Sequence, residues 1–369
     1  MKLVQLERDA LLKPLQAVTG IVEKRHTLPI LSNVLVERKQ GALMMMATDL
    51  EIQVAARTDL GKGAGEDAGL TVSARKLQEI LRALPEGTEA TLDVQNNRLQ
   101  VRSGKSRFNL QTLPAADFPA MAEPGAVQAT VSMPQKALRD LLLLVQYAMA
   151  QQDIRYYLNG LLLVLDGGQV KVVATDGHRL SYAARPLGAE HEKREVILPR
   201  KAVLELARLL ADSEDAVTIE IFGSMVRFVF GSTVLTTKII DGKFPDYTRV
   251  VPTNYQKRFS IQRQALLQSL QRAAILSNEK FRGVRWTVSA NTLRISCTNN
   301  EQEEAQEELE IAYGGEALDI GFNITYVLDV LNNVHSEAVE CSFGDANSSM
   351  LVTVPENREF RYVVMPMRI

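Results

Sequence analysis

The chain has 369 residues, 46% apolar and 23% charged, with 44 acids against 42 bases and a net charge of −2. No apolar run approaches the ~20 residues of a membrane span, and Lys2, Glu7, Arg8 and Asp9 interrupt the opening too early for a secretory signal. Two distant cysteines, Cys297 and Cys341, give neither a disulfide framework nor a metal-ligand spacing, so a cytoplasmic protein of two to three domains is expected.

Residues 9–18 place Leu11, Leu15 and Val18 at i, i+4 and i+7, the buried stripe of a helix. Pro14 is expected within about a turn of that helix's start, where a lost amide bond costs least. Residues 28–37 and 41–57 alternate with period two around turn residues and predict strands of an antiparallel meander. The glycine-rich stretch 61–69 lacks the Gly-Lys-Ser/Thr ending of a phosphate loop and leads into a strand pattern, so it reads as a hairpin loop. A second helix is predicted over 74–84 and strands over 90–94 and 99–102, and the segment closes on Phe118-Pro119.

The same order then returns. Residues 136–145 repeat the stripe with Leu138, Leu142 and Val145, strands are predicted over 157–165 and 172–185, and a second helix starts at Pro199. Strands over 217–222 and 226–230 follow, ending on Phe244-Pro245. A third pass has Leu266, Leu270 and Ala273 in the stripe, strands over 283–288 and 293–300, a helix over 323–331, strands over 338–343 and 350–354, and Met365-Pro366 at the end. Ala10, Ala137 and Ala265 stand 127 and 128 residues apart, and Thr48-Asp49 and Thr175-Asp176 again 127 apart. The expected fold is therefore α+β: three copies of a two-helix, antiparallel-sheet domain over 1–124, 128–253 and 256–369, with linkers near 122–126 and 252–256.

Little in the chain suggests catalysis. His178 neighbours Asp176, but four histidines in all, no matched serine or cysteine nucleophile and no third ligand at metal spacing leave neither a catalytic nor a metal constellation. A repeat-built enzyme is disfavoured on that ground. A repeat scaffold that binds only protein peptides is disfavoured by the bases Arg75, Lys76, Arg82, Arg200, Lys201 and Arg208 on the second helices.

Four stretches carry a resemblance: Thr175-Asp-Gly-His-Arg-Leu, Gly242-Lys-Phe-Pro-Asp-Tyr, Ile275-Leu-Ser-Asn-Glu-Lys-Phe-Arg-Gly-Val and Tyr362-Val-Val-Met-Pro-Met-Arg. The chain resembles the bacterial sliding clamps, the β subunits of DNA polymerase III, along its whole length. The resemblance implies a non-catalytic processivity factor that needs no cofactor. It also implies a head-to-tail homodimer whose six domains form a ring around double-stranded DNA, sheets outside and helices lining the hole. Polymerase III catalytic subunit, clamp loader and repair or regulatory proteins would dock through a short peptide; no membrane partner is implied. Near-zero charge suits a protein that slides and holds DNA by topology.

On this reading DNA would meet Arg75, Lys76 and Arg82 on one second helix and Arg200 and Lys201 on the next, with Lys13, Arg139, Arg208, Arg263 and Arg272 as further helix-face bases. Arg25 and Gln152 match positions where the family touches DNA. Tyr156 and Tyr157 either stack on a strand or pack against their neighbours. The peptide pocket implied by the resemblance takes Leu158, Thr175, Gly177, His178, Arg179 and Leu180 from the second copy, followed by Pro245, Arg249 and Val250. The third copy would add Phe281, Asn323, Tyr326 and Ser349, then the apolar end Val363, Val364, Met365, Pro366, Met367 and Arg368, which is expected to be docked. The dimer contact would join six acids over 301–310, with Glu303 and Glu304, to three bases over 102–107, with Lys105 and Arg107. Phe108, Leu110, Ile275 and Leu276 would form its apolar core.

Overall fold

The computed structural model describes residues 1–23, 28–61, 66–95 and 97–369. Arg25 and the middle of the glycine-rich stretch fall outside them. Six α-helices lie among the described residues: α1 Arg8–Thr19, α2 Ala74–Ala83, α3 Gln135–Val145, α4 Arg200–Leu209, α5 Arg263–Ala273 and α6 Ile324–Asn333. The repeated stripe is the buried face of the first helix of each copy: Leu11, Leu15 and Val18 in α1, Leu138, Leu142 and Val145 in α3, and Leu266, Leu270 and Ala273 in α5. Each such leucine contributes about 2 kcal/mol by leaving water.

Pro14 departs from expectation. It stands in the middle of α1, not in its first turn. There it removes the amide that would bond to Ala10 O, a loss costing about 3 kcal/mol in an ordinary helix interior. The flanking buried residues Leu11, Leu12, Leu15 and Val18 hold the helix together across it.

Strands pair antiparallel throughout the described residues. The chain divides into two compact units, 1–139 with 204–239, and 140–203 with 240–369, with divisions falling at residues within α3 and α4. A 12-stranded sheet belongs to the first unit; a 6-stranded and a 4-stranded sheet belong to the second.

Inside each unit, one copy of the repeat is joined to the next edge to edge. In the first unit the strand Ile52–Asp59 pairs with Thr233–Lys238, matching Ile52 to Thr237, Gln53 to Thr236, Val54 to Leu235 and Ala55 to Val234. In the second unit Arg179–Pro199 pairs with Asn357–Val364, matching Arg179 to Val364, Leu180 to Val363, Ser181 to Tyr362 and Tyr182 to Arg361. Adding 127 to both members of each pair in the first set gives the second set. The joint is thus one piece of architecture made twice in the same register.

A helix contact supports the first joint. Arg208 of α4 donates to Ala17 O of α1 at 3.1 Å and to Glu205 at 2.6 Å. Gly20 makes room for this, since a Cβ there would stand 2.2 Å from Glu205 Oε1.

Two half-joints are left over. The strand Glu304–Glu310 ends the 4-stranded sheet and pairs on one side only, with Thr292–Thr298. In Ser106–Pro114, residues 106–111 pair with Arg98–Ser103, and only 112–114 continue to Ala68–Ser73 on the other side.

Candidate functional site

Four stretches far apart in sequence, all within the second unit, converge on a cavity of about 250 Å³. Its walls are Arg155, Tyr157 and Leu158; Thr175, Gly177, Arg179 and Leu180; Pro245 and Val250; Val363 and Met365. Apolar side chains dominate, with Arg155, Thr175 and Arg179 supplying polar groups, the make-up of a site for an apolar ligand with a polar handle.

The Thr-Asp-Gly-His-Arg stretch is a tight turn whose polar groups are used structurally. Thr175 Oγ1 donates to Arg179 O at 2.6 Å and accepts from Gly177 N–H at 3.1 Å. Asp176 Oδ1 accepts from the amides of His178 at 2.9 Å and Arg179 at 3.0 Å. Gly177 sits at φ +89°, a conformation that favours glycine, and a Cβ there would lie 3.0 Å from the Arg155 guanidinium. His178 is exposed and stacks on Tyr326, with ring centroids 6.4 Å apart.

Arg179 is the most tightly held group of the site. It reaches Asp176 at 3.1 Å, Tyr147 O at 2.6 Å and Asp329 of α6. Burial alone would lower its pKa, but the carboxylates of Asp329 and Asp176 outweigh burial, and the guanidinium stays charged. Beside it Tyr362 is fully buried and Tyr147 half-buried, and burial pushes both phenols well above the ordinary range.

Arg155 is presented differently. Asp153 grips it through Nε at 3.0 Å and Nη2 at 2.8 Å, and that hydrogen bonding lowers the Asp153 carboxyl to about 2. Neither Arg155 nor Asp329 stood out in the sequence, although Arg155 lies inside the Gln152–Tyr157 stretch already singled out there. Asp329 leaves no such trace, because only the tertiary contact with Arg179 gives it a role.

The other expected pocket residues are not among those lining the cavity. Arg249 is exposed and paired with Asp246 at 2.9 Å. Phe281 is 59% exposed. Asn323 caps α6, its Oδ1 accepting from Thr325 N–H at 2.9 Å, and Ser349 bonds the Tyr255 hydroxyl at 3.2 Å. Val364 is buried in the core, because side chains alternate along the strand and Val363 takes the cavity face. Pro366, Met367 and Arg368 run on past the cavity.

The residues expected to meet DNA are dispersed. Arg75 is exposed and pairs with Glu79 at 2.8 Å, while Lys76 and Arg82 are exposed on the same helix. Arg200 is half-buried, with Nη1 3.3 Å from Met149 O, and burial followed by the nearby Arg179 lowers its pKa. Lys201 follows it on α4. Gln152 is exposed at φ +55° and Tyr156 is 57% exposed. Tyr157, by contrast, lines the cavity.

Two further helix-face bases have structural employment. Arg263 donates to Leu331 O at 2.8 Å and Ser336 O at 3.0 Å, closing the end of α6. Arg272 is paired with Glu307.

Residues expected at a dimer contact lie on the two half-joints or beside them. Lys105 occupies a hairpin turn, Arg107 is exposed, and Phe108 and Leu110 are half-buried. Ile275 is 77% exposed beside the half-buried Leu276. Glu303 is held by Asn299, and Glu304 opens the strand that pairs on one side only.

Sequence-family profiles of the DNA polymerase III beta subunit match the chain over residues 1–122 (N-terminal domain), 132–246 (central domain) and 248–368 (C-terminal domain). The chain is 46% identical to the beta sliding clamp of Vibrio cholerae over 364 residues, covering 99% of both. Among solved structures, the DNA polymerase III subunit beta of Pseudomonas aeruginosa superposes with a TM-score of 0.96 at 45% identity over the full length of both chains. The pol III beta of Caulobacter crescentus gives 0.92 at 37%, again over both full lengths.

Proposed function

The chain belongs to the DNA polymerase III beta subunit family, the bacterial sliding clamps, and from that premise we propose how it closes on DNA and receives its partners. As a clamp it is a non-catalytic processivity subunit that works with DNA and a DNA polymerase. We assign its three repeats to 1–124, 128–253 and 256–369, and its place of work to the cytoplasm, in keeping with the absence, among the described residues, of any helix long and apolar enough to cross a membrane.

The observation that carries the proposal is the joint made twice in one register, with two complementary half-joints left open. Two copies arranged head to tail complete the missing joint twice and close a ring around duplex DNA. Internal equivalence supplies the register. Thr48 pairs with Gln53 as Thr298 pairs with Glu304, and Phe230 pairs with Thr233 as Ser103 pairs with Ser106. Transposing the first joint therefore sets Glu304 opposite Asn109, Ala305 opposite Phe108 and Gln306 opposite Arg107 of the second copy. Arg107 then lies between Glu304 and Glu308 on the same sheet face, so charge steers the contact and favours this register.

The cavity would take a short, largely apolar peptide from the polymerase catalytic subunit, the clamp loader or a repair protein. Arg155, Arg249 and His178 would lie at its rim. DNA would face Arg75, Lys76, Arg82, Gln152, Tyr156, Arg200 and Lys201, with Arg25 as a further expected contact.

The test joins register to topology. A variant carrying Arg107→Cys and Gln306→Cys is loaded onto nicked circular plasmid with clamp loader and ATP, oxidised, and passed through gel filtration in denaturant. Covalently closed protein should stay with the circle and leave a linearised control. Efficient cross-linking with equal loss from both DNAs would defeat encirclement, and failure of the cysteines to join in a confirmed dimer would defeat the register.

A further inference from the structure

The chain that follows the strand Asn357–Val364 does not stop at the cavity. Met365 N–H donates to His178 O and Met367 N–H to Gly321 O, each at 2.9 Å. The segment thus leaves the 6-stranded sheet and reaches Leu318–Asn323, the end strand of the 4-stranded sheet. There Ile369 rests on two glycines. A Cβ on Gly283 would meet the Ile369 side chain at 3.5 Å, an ordinary contact. A Cβ on Gly321 would stand 2.5 Å from both Ile369 Cδ1 and Met367 O. The second of these atoms is backbone and cannot rotate aside. Gly321 is not among the positive-φ residues, so close approach and not backbone conformation requires a glycine there. Arg285 Nη2 adds a contact to Ile369 O at 3.4 Å.

We propose that this glycine seat positions one wall of the cavity, so that Gly321 and Ile369, which do not line it, set its affinity for partner peptides. The inference rests on reading the cavity as a peptide site. Met365 is 46% exposed, and the strand ladder ends one residue before it at Val364. One amide bond to His178 is a weak restraint on an exposed end segment. The seat supplies a second restraint on the far side of Met365, and between the two the methionine is held where it closes the cavity. A peptide then meets a formed wall and does not have to order it during binding.

The test uses the full-length clamp, immobilised, with the isolated polymerase III catalytic subunit as probe in surface plasmon resonance. If Gly321→Ala leaves the segment seated about a tenth of the time, the apparent Kd rises about tenfold. Ile369→Gly, which removes a surface side chain and keeps the scaffold intact, should shift Kd in the same direction. Gly283→Ala should bind as the parent does, and Met365→Ala combined with Ile369→Gly should be no weaker than Met365→Ala alone. Val250→Asp, inside the cavity, tests the underlying reading. If it weakens binding while Gly321→Ala and Ile369→Gly do not, the seat is overturned and the peptide site stands. If it leaves binding unchanged, the site and the seat both fall. Equal damage from Gly283→Ala and Gly321→Ala would mean general disturbance of the sheet and would also overturn the seat.

Discussion

The guanidinium of Arg179 lies 4.5 Å from the ring centroid of Tyr326. The first residue lines the cavity and begins the strand of the second joint; the second belongs to α6, in the next repeat. Arg179 therefore holds two things at once, a wall of the binding site and the connection between consecutive repeats.

Replacing Arg179 should damage both. Arg179→Met leaves the half-buried Asp176 and Asp329 without their shared cation, and losing charge-assisted hydrogen bonds of this kind costs about 2 kcal/mol. Urea unfolding should show that loss together with weakened polymerase binding. Parent-like stability would mean that the carboxylates find other partners.

Leu276→Asp should yield a monomer. Leu276 is half-buried next to Ile275, whose side chain is 77% exposed in the single chain. A carboxylate buried at a closed joint would lack a partner. Sedimentation velocity gives the answer directly, and a surviving dimer would remove this part of the interface.

The Asp153–Arg155 clamp has a defined pH window. Its folded-state carboxyl lies at about 2 against an ordinary 3.8, so the folded value is depressed. The pair's contribution is then fully present above about pH 4 and is lost as pH falls toward 2. Carbon-detected NMR of the Asp153 carboxyl should give a midpoint near the lower value in the parent and near the ordinary one in Arg155→Ala. An ordinary midpoint in both proteins would contradict the clamp.

Both cysteines should be silent in the native protein. Burial raises the Cys297 thiol to about 11 and the Cys341 thiol to about 12. At pH 8 a thiol reagent should label neither until denaturant is added. Labelling of the folded protein at the rate of a free thiol would show that one of them is accessible.

Local patterns made much of the architecture legible. Leu11, Leu15 and Val18 declare a helix because a 3.6-residue period puts them on one face, and the pattern recurs at Leu138 and Leu266 because each repeat buries the same helix face. Thr175-Asp-Gly-His-Arg could be recognised as a family feature, but its hydrogen bonding became visible only in the folded turn. Pro14 was misplaced because helix starts carry weak signals, and the N-terminal flank Glu7 makes no side-chain cap.

The sequence by itself determined the repeat, the helices with their buried stripes, the strands and the family, since each depends on residues near one another in the chain. Tertiary structure alone decided which residues share a wall. It placed Tyr157 on the cavity wall, set Val364 in the core, committed Arg263 and Arg272 to scaffold contacts, and gave Asp329 and Gly321 their parts. These assignments depend on strand register and helix docking between distant segments, 150 residues apart for Arg179 and Asp329. A one-residue slip in a strand exchanges its faces, and no local pattern records which face a distant partner will cover.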